Sequence, residues 1–333
     1  MAAEQRHRID EPEGRVSKIK WQYADHWRTD SPRGPVNQFA SRNEMDRFVK
    51  QIAAVGLSGV GMFAWNLGAV SAMFGGLASY KTFLAERGIE KIVDLFWCQP
   101  QASPGMTIHD PDHKGRVIGM LDHFAGLAAG LGVENLIVMP AHCYSDTQPV
   151  TADRIRVLAD LWNTVGRMSL EKHGTKLGCH HEFWCGIRSQ DEIDQFYSLT
   201  DPAYVNLYID TAQHVIAGVD PVALYRQYAH RVNGFHFKDT RHVDMVEDYR
   251  SQPDPELCAS TTPRWFWEMG TPGGLVDFPA LMQALKDHDY EGWIGVEHDK
   301  ADIGGGNYPE STALAMWYAR NVLEPIYYGK AAA

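Results

Sequence analysis

Glu182, Asp210, His236 and Glu297 are metal-ligand side chains spaced 28, 26 and 61 residues apart. Each stands at or near the end of a short apolar run. The runs are Cys179-His180-His181-Glu182-Phe183-Trp184, Tyr208-Ile209-Asp210-Thr211, Gly234-Phe235-His236-Phe237-Lys238-Asp239 and Gly292-Trp293-Ile294-Gly295-Val296-Glu297-His298. A strand-plus-helix unit of a (β/α)8 barrel takes about 30 to 40 residues, and such barrels keep their catalytic groups at strand C-termini. The spacing thus assigns one ligand to each of four units. Three carboxylates facing one another repel, and a divalent cation removes that cost. An oxygen-rich set with one histidine suits Mn2+ best, with Mg2+ and Co2+ as alternatives, rather than structural zinc.

Side chains alternate faces along a strand. His180 therefore shares a face with Glu182, and His181 points the other way. Lys238 joins His236, while Phe235 and Phe237 turn towards the surrounding helices. Asp210 shares its face with Tyr208. The chemistry open to this set is removal of a proton from carbon next to a carbonyl, with the metal as Lewis acid. His180 is the candidate base, Glu182 or Glu297 the alternative, and Lys238 the candidate acid. Each residue alone also has a plainer reading. An acid after a strand is often a helix cap or turn residue. His180 fits a hydrogen-bonded core position, and Lys238 fits a pair with Asp239 or Glu297. Trp21, His142, Trp184 and Arg264 are candidate substrate contacts near strand ends or in the long loop, although most large aromatics are core.

These groups need a scaffold, and the rest of the chain supplies its pattern. Apolar runs at 19–23, 59–63, 92–97, 135–139, 176–181, 204–209, 232–237 and 293–296 read as eight buried strands. Helical patterns lie between them, at Glu44–Ala54, Arg116–Leu131, Ala152–Lys172, Val222–His230, Pro279–His288 and Ser311–Val322. Ser41-Arg42-Asn43-Glu44 and Thr151-Ala152-Asp153-Arg154 resemble helix starts. Strands alternating with helices over this length predict an α/β fold, a (β/α)8 TIM barrel, in one catalytic domain over 15–325. No Gly-x-Gly-x-x-Gly follows the first strand, which argues against a dinucleotide fold. Residues 1–14 and 326–333 read as loose ends. The stretch 239–276 reads as a long irregular loop over the barrel mouth.

The net charge of −11 over 333 residues opposes a nucleic-acid partner, which needs a basic face. The five cysteines are scattered without a Cys-x-x-Cys pair, so reduced thiols in the cytoplasm are expected. No apolar run is long enough to span a membrane.

Ile209-Asp210-Thr211 with Ala217-Gly218-Val219-Asp220-Pro221, then His236-Phe237-Lys238-Asp239, then Gly270 with Gly274-Leu275-Val276-Asp277-Phe278-Pro279 and Tyr290 to Glu297 carry a resemblance over about residues 18–325. The chain resembles the sugar-phosphate isomerase/epimerase superfamily of xylose-isomerase-like TIM barrels. The resemblance implies one divalent metal on Glu182, Asp210, His236 and Glu297. Two departures stand out. Gln213 replaces a histidine that many relatives carry three residues after the aspartate. His180-His181-Glu182-Phe183-Trp184 replaces the strand-five motif of ketose 3-epimerases. The His-x-Glu arrangement and the long loop look like the α subunit of C-glycoside deglycosidases. That implies Mn2+-dependent β-elimination of 3-keto C-glycosides as a lyase, with a small β subunit and self-association. The alternatives are a sugar isomerase or epimerase, an inosose dehydratase, and a non-catalytic sugar-binding subunit. A nuclease resembling endonuclease IV needs more histidines and a basic face.

Overall fold

The computed structural model describes residues 18–24, 29–31, 34–36, 41–97, 107–142, 150–243, 266–297 and 308–329. Eight parallel strands close into a barrel. They are β1 (Ile19–Tyr23), β2 (Gly59–Phe63), β3 (Lys91–Trp97), β4 (Asn135–Val138), β5 (Lys176–His180), β6 (Val205–Asp210), β7 (Val232–Phe237) and β8 (Gly292–Val296). Each pairs with its sequence neighbour, and β1 closes the ring by pairing with both β2 and β8. All eight strands expected from the apolar runs are present, with ends shifted by at most a residue.

The main helices form the outer layer: α1 (Arg42–Ala54), α2 (Leu67–Phe74), α3 (Leu77–Ala85), α4 (Lys114–Leu131), α5 (Ala152–His173), α6 (Gln190–Ser198), α7 (Thr211–Ile216), α8 (Pro221–Tyr228), α9 (Phe278–Asp287), α10 (Tyr308–Tyr318) and α11 (Glu324–Tyr328). The expected helix starts hold. Ser41 Oγ accepts from Glu44 N at 3.3 Å, and Thr151 Oγ1 accepts from Arg154 N at 3.3 Å. The pattern at 311–322 is divided: α10 gives way to a π-helical segment at Ala319–Leu323 before α11, which carries Pro325 in its first turn. Helices α2, α3, α6 and α7 were not legible in the pattern, nor was α11, which places residues 326–328, read as part of the C-terminal tail, in a helix with Tyr327 buried.

Three apolar regions result among the described residues, one of them a small cluster of Phe183, Ala212, Ile216 and Phe266. The largest lies between barrel and helices and contains Ile19, Trp21, Tyr23, Phe235 and Phe237. Another fills the barrel interior with Phe63, Phe96, Ile137 and Tyr208. Close approach inside the barrel requires glycine. A Cβ on Gly234 would stand 2.3 Å from the Tyr208 ring, and one on Gly295 would stand 3.0 Å from the His236 ring.

The stretch 239–276 is not wholly irregular. Asp239–Thr240 pairs antiparallel with Phe266–Trp267, which closes the base of the loop. Residues 244–265 lie outside the described ones. Asp239 Oδ1 accepts from Thr240 N at 2.8 Å, Leu275 N at 3.0 Å and Val276 N at 3.1 Å. Its carboxylate packs against Gly274, where a Cβ would stand 1.9 Å away. Asp277 then caps α9, accepting from Ala280 N at 2.9 Å, and Asp220 caps α8, accepting from Val222 N at 2.8 Å. Much of the motif in this half of the chain is therefore backbone support for the strand ends.

Candidate metal centre

Strand β5 delivers His180, β6 delivers Asp210, β7 delivers His236 and the end of β8 delivers Glu297. All four are buried, and one ligand atom from each lies within 4.8 Å of the others. His180 Nε2 is 3.2 Å from Asp210 Oδ2 and 3.1 Å from His236 Nδ1. His236 Nδ1 is 3.0 Å from Glu297 Oε2 and 3.8 Å from Asp210 Oδ2. Lys238 sits in the same cluster, with Nζ donating to Glu297 Oε2 at 2.7 Å and 2.9 Å from Asp210 Oδ2.

The cluster contains three of the four ligands expected from sequence together with His180, and Glu182 lies next to it. Glu182 lies at the edge, with Oε1 3.2 Å from His180 Nδ1 and Oε2 without a hydrogen-bond partner. His180 belongs to β5, whereas Glu182 stands two residues beyond the strand, just before a turn. The rest of the alternation holds. His181 faces outward, its Nδ1 2.9 Å from Ile187 O and its Nε2 3.2 Å from Tyr197 Oη. Gln213 accepts from Phe183 N at 3.0 Å and so secures the segment after β5. Asp210 Oδ1 caps α7 by accepting from Gln213 N at 3.0 Å, which leaves Oδ2 for the cluster.

Electrostatics follow from burial and pairing. Burial pushes the Asp210 carboxyl up, but the Lys238 ammonium and the rings of His180 and His236 hold it well below the ordinary carboxylate range. Glu297 behaves alike: burial opposes ionisation, and Lys238 and His236 outweigh it. Burial lowers His180, yet the charges of Glu182 and Asp210 reverse this and raise it to about 10. Burial raises the Glu182 carboxyl, and His180 offsets only part of the rise. His181 is lowered to about 4, chiefly by burial, and stays neutral at physiological pH.

Beneath the cluster lies a polar floor that sequence reasoning missed. Asp94 accepts from Tyr208 Oη at 2.6 Å, from Asn135 Nδ2 at 2.8 Å and from Gln22 Nε2. The Tyr208 ring meets the His236 ring edge to face at 4.8 Å, and Tyr208 Oη lies 3.2 Å from Phe235 O. An aromatic ladder rises on the other side: Phe96 is 5.1 Å from His180, Phe63 is 5.3 Å from Phe96, and Trp65 stacks on Phe63 at 4.0 Å.

The expected substrate contacts fare unevenly. Trp21 is a correction. It faces the helices, where its indole N–H donates to Glu324 Oε1 at 2.9 Å and its ring meets Phe237 at 6.1 Å. On β1 the inward positions belong to Lys20 and Gln22, so Trp21 points away from the mouth. His142 is buried after β4, its ring 4.1 Å from that of His109. Trp184 is partly buried beside Phe183, and its indole N–H has no partner. Arg264 lies outside the described residues. Trp65 and Asn66, which follow β2, also carry buried N–H groups without partners, and they were the better signal. A buried donor left unpaired costs about 1 to 3 kcal/mol, which a substrate oxygen relieves. Trp65→Phe keeps the stack and removes the donor. It is expected to raise the KM for the substrate about ten-fold with kcat nearly unchanged, measured by steady-state kinetics.

Comparison with known proteins places this geometry. The family model of the xylose isomerase-like TIM barrel matches residues 49–319. The chain belongs to that family. Among curated proteins, inosose dehydratase of Clostridium beijerinckii (strain ATCC 51743 / NCIMB 8052) is 34% identical over 146 residues, 44% of this chain and 47% of that one. The chain thus matches about half the length of the first curated relatives. Among solved structures, a sugar phosphate isomerase/epimerase from Parabacteroides distasonis ATCC 8503 superposes with a TM-score of 0.68 at 16% identity, over 96% of this chain and 99% of that one. The IOLI protein, solved with a bound zinc atom, superposes with a TM-score of 0.62 at 13% identity, over 94% of this chain and 100% of that one. These structures share the xylose isomerase-like barrel. No helix among the described residues is long and apolar enough to cross a membrane.

Proposed function

We propose that this chain is a divalent-metal-dependent dehydratase, a carbon–oxygen lyase that removes water from a cyclic polyhydroxy ketone. The observation that carries the proposal is the buried convergence of His180, Asp210, His236 and Glu297 from four successive strands. The donor set fits a divalent cation: two carboxylate oxygens and two imidazole nitrogens. With two nitrogens rather than one, zinc becomes as suitable as Mn2+, which widens the expectation from sequence. The inosose dehydratase relatives favour dehydration over the cleavage of 3-keto C-glucosides that the strand-five motif suggested, and nothing favours a small β subunit.

When bound, the cation supplies Lewis-acid polarisation of the ketone and a neighbouring hydroxyl. The protein's own groups do the rest. Glu182 Oε2, buried at the edge of the cluster with no partner, takes the proton from the carbon next to the carbonyl. His180, whose Nδ1 lies 3.2 Å from Glu182 Oε1, holds that carboxylate in place. The β-hydroxyl leaves as water by taking up the proton that Glu182 has gained, which returns the carboxylate to its starting state. The new double bond bears a hydroxyl, and the resulting enol tautomerises to a 1,2-dione. The apolar ladder of Phe63, Phe96 and Trp65 keeps water from the other face.

The test is to incubate the metal-loaded protein with an inosose, with a 3-keto C-glucoside and with a free ketose. Formation of a dione from the inosose, abolished by chelation and restored by metal, supports the reading. Released aglycone or an epimerised ketose replaces it with one of the alternatives. Glu182→Gln is expected to bind metal at full stoichiometry and lose about a hundred-fold or more in kcat. If this variant loses the metal instead, Glu182 is a ligand, as the family resemblance implies, and His180 takes the role of base.

A further inference from the structure

Lys238 is the one buried group in the cluster whose place neither the fold nor the proposed chemistry requires. It is 1% exposed, on the same face of β7's extension as His236. Its Nζ lies 2.7 Å from Glu297 Oε2 and 2.9 Å from Asp210 Oδ2. These are the carboxylates that complete the metal-type quartet, so one ammonium bridges the only two acids in it. The aliphatic stem cannot readily withdraw, because Thr211 Oγ1 holds the backbone at both ends. It donates to Lys238 O at 2.6 Å and accepts from Lys238 N at 3.1 Å. The ammonium also lies 4.3 Å over the Phe266 ring, which belongs to the ribbon at the base of the long loop.

We propose that Lys238 is a built-in counter-ion that sets how tightly this site holds a divalent cation. The proposal rests on the metal reading given above. The lysine and the metal draw on the same pair of carboxylates. Oxygen lone pairs committed to the ammonium are weaker donors to a metal, and a fixed positive charge beside the site repels a second cation. The same charge keeps the two carboxylates from repelling each other when no metal is bound. Lys238 therefore trades metal affinity for stability of the metal-free barrel. The site becomes an exchangeable one whose occupancy follows the supply of metal.

The experiment uses the full chain, stripped with a chelator and dialysed, with MnCl2 and ZnCl2 titrated in by calorimetry. Thermal unfolding is followed with and without metal. Lys238→Met, which keeps the length and removes the charge, is expected to bind either cation about ten-fold tighter or more. Its metal-free melting temperature should fall, and its gain on adding metal should exceed that of the parent. Lys238→Arg keeps the charge and should retain the parent's weak affinity. A simple structural role would lower stability with and without metal alike and would not tighten binding. Equal or weaker binding in Lys238→Met overturns the proposal. If Lys238→Met does not fold, the arginine variant decides, since binding as tight as ten-fold above the parent there equally overturns it. A parent protein that binds neither cation fails the metal reading itself, which is a separate outcome.

Discussion

Glu297→Gln and Asp210→Asn are each expected to lower kcat/KM for an inosose by at least about a hundred-fold while the barrel stays folded. The quartet holds only two acids, so either change removes half of its negative charge. Glu297 also accepts from Lys238 and stands 3.0 Å from His236, and an amide offers one acceptor where the carboxylate offers two. Metal content by elemental analysis should drop in step with activity. In Asp210→Asn the amide oxygen keeps the cap on α7, which turns the NH2 towards the cluster, so excess Mn2+ or Zn2+ should recover little of the loss there. Circular dichroism checks that the fold persists. Full activity and full metal content in both variants would remove the centre from the reaction.

Asp94→Ala carries the largest expected cost in stability. The carboxylate is the shared acceptor for Gln22, Asn135 and Tyr208, three donors from β1, β4 and β6. Deleting it leaves all three buried without it, at a cost of roughly 3 kcal/mol or more in the folded state. The midpoint of denaturant unfolding is the measurement. The change also frees the Tyr208 ring that abuts His236 at 4.8 Å, so metal affinity should weaken as well. Asp94→Asn keeps one acceptor oxygen and should lose less. A midpoint unchanged within error in Asp94→Ala would show that the floor is not a connected network.

The strands were legible because each is a short, almost wholly apolar run bounded by turn residues, as buried parallel strands are. Alternation then separated His180 from His181 and His236 from Phe237 correctly. Trp21, chosen for its place near a strand end and not by alternation, faces the helices for a physical reason. Both faces of a barrel strand are buried, one against helices and one against the interior, so apolar character does not say which face points in. Here the interior below the site is polar, and Gln22 rather than Trp21 occupies it. The short helices α2, α3, α6 and α7 were missed because six to nine residues give too little periodicity to stand out.

The candidate site divides in the same way. Residue type and spacing alone determined that acids and a histidine end successive strands, because strand length and the repeat of the barrel fix where each must emerge. Only the tertiary structure showed that His180 lies within the cluster beside Glu182, that Lys238 bridges Asp210 and Glu297, and that Asp94 and Tyr208 underlie His236. Those relations are distances of a few ångströms between side chains that lie tens of residues apart along the chain. They depend on the stagger of neighbouring strands and on which rotamers fit in the closed interior, and a linear pattern carries neither.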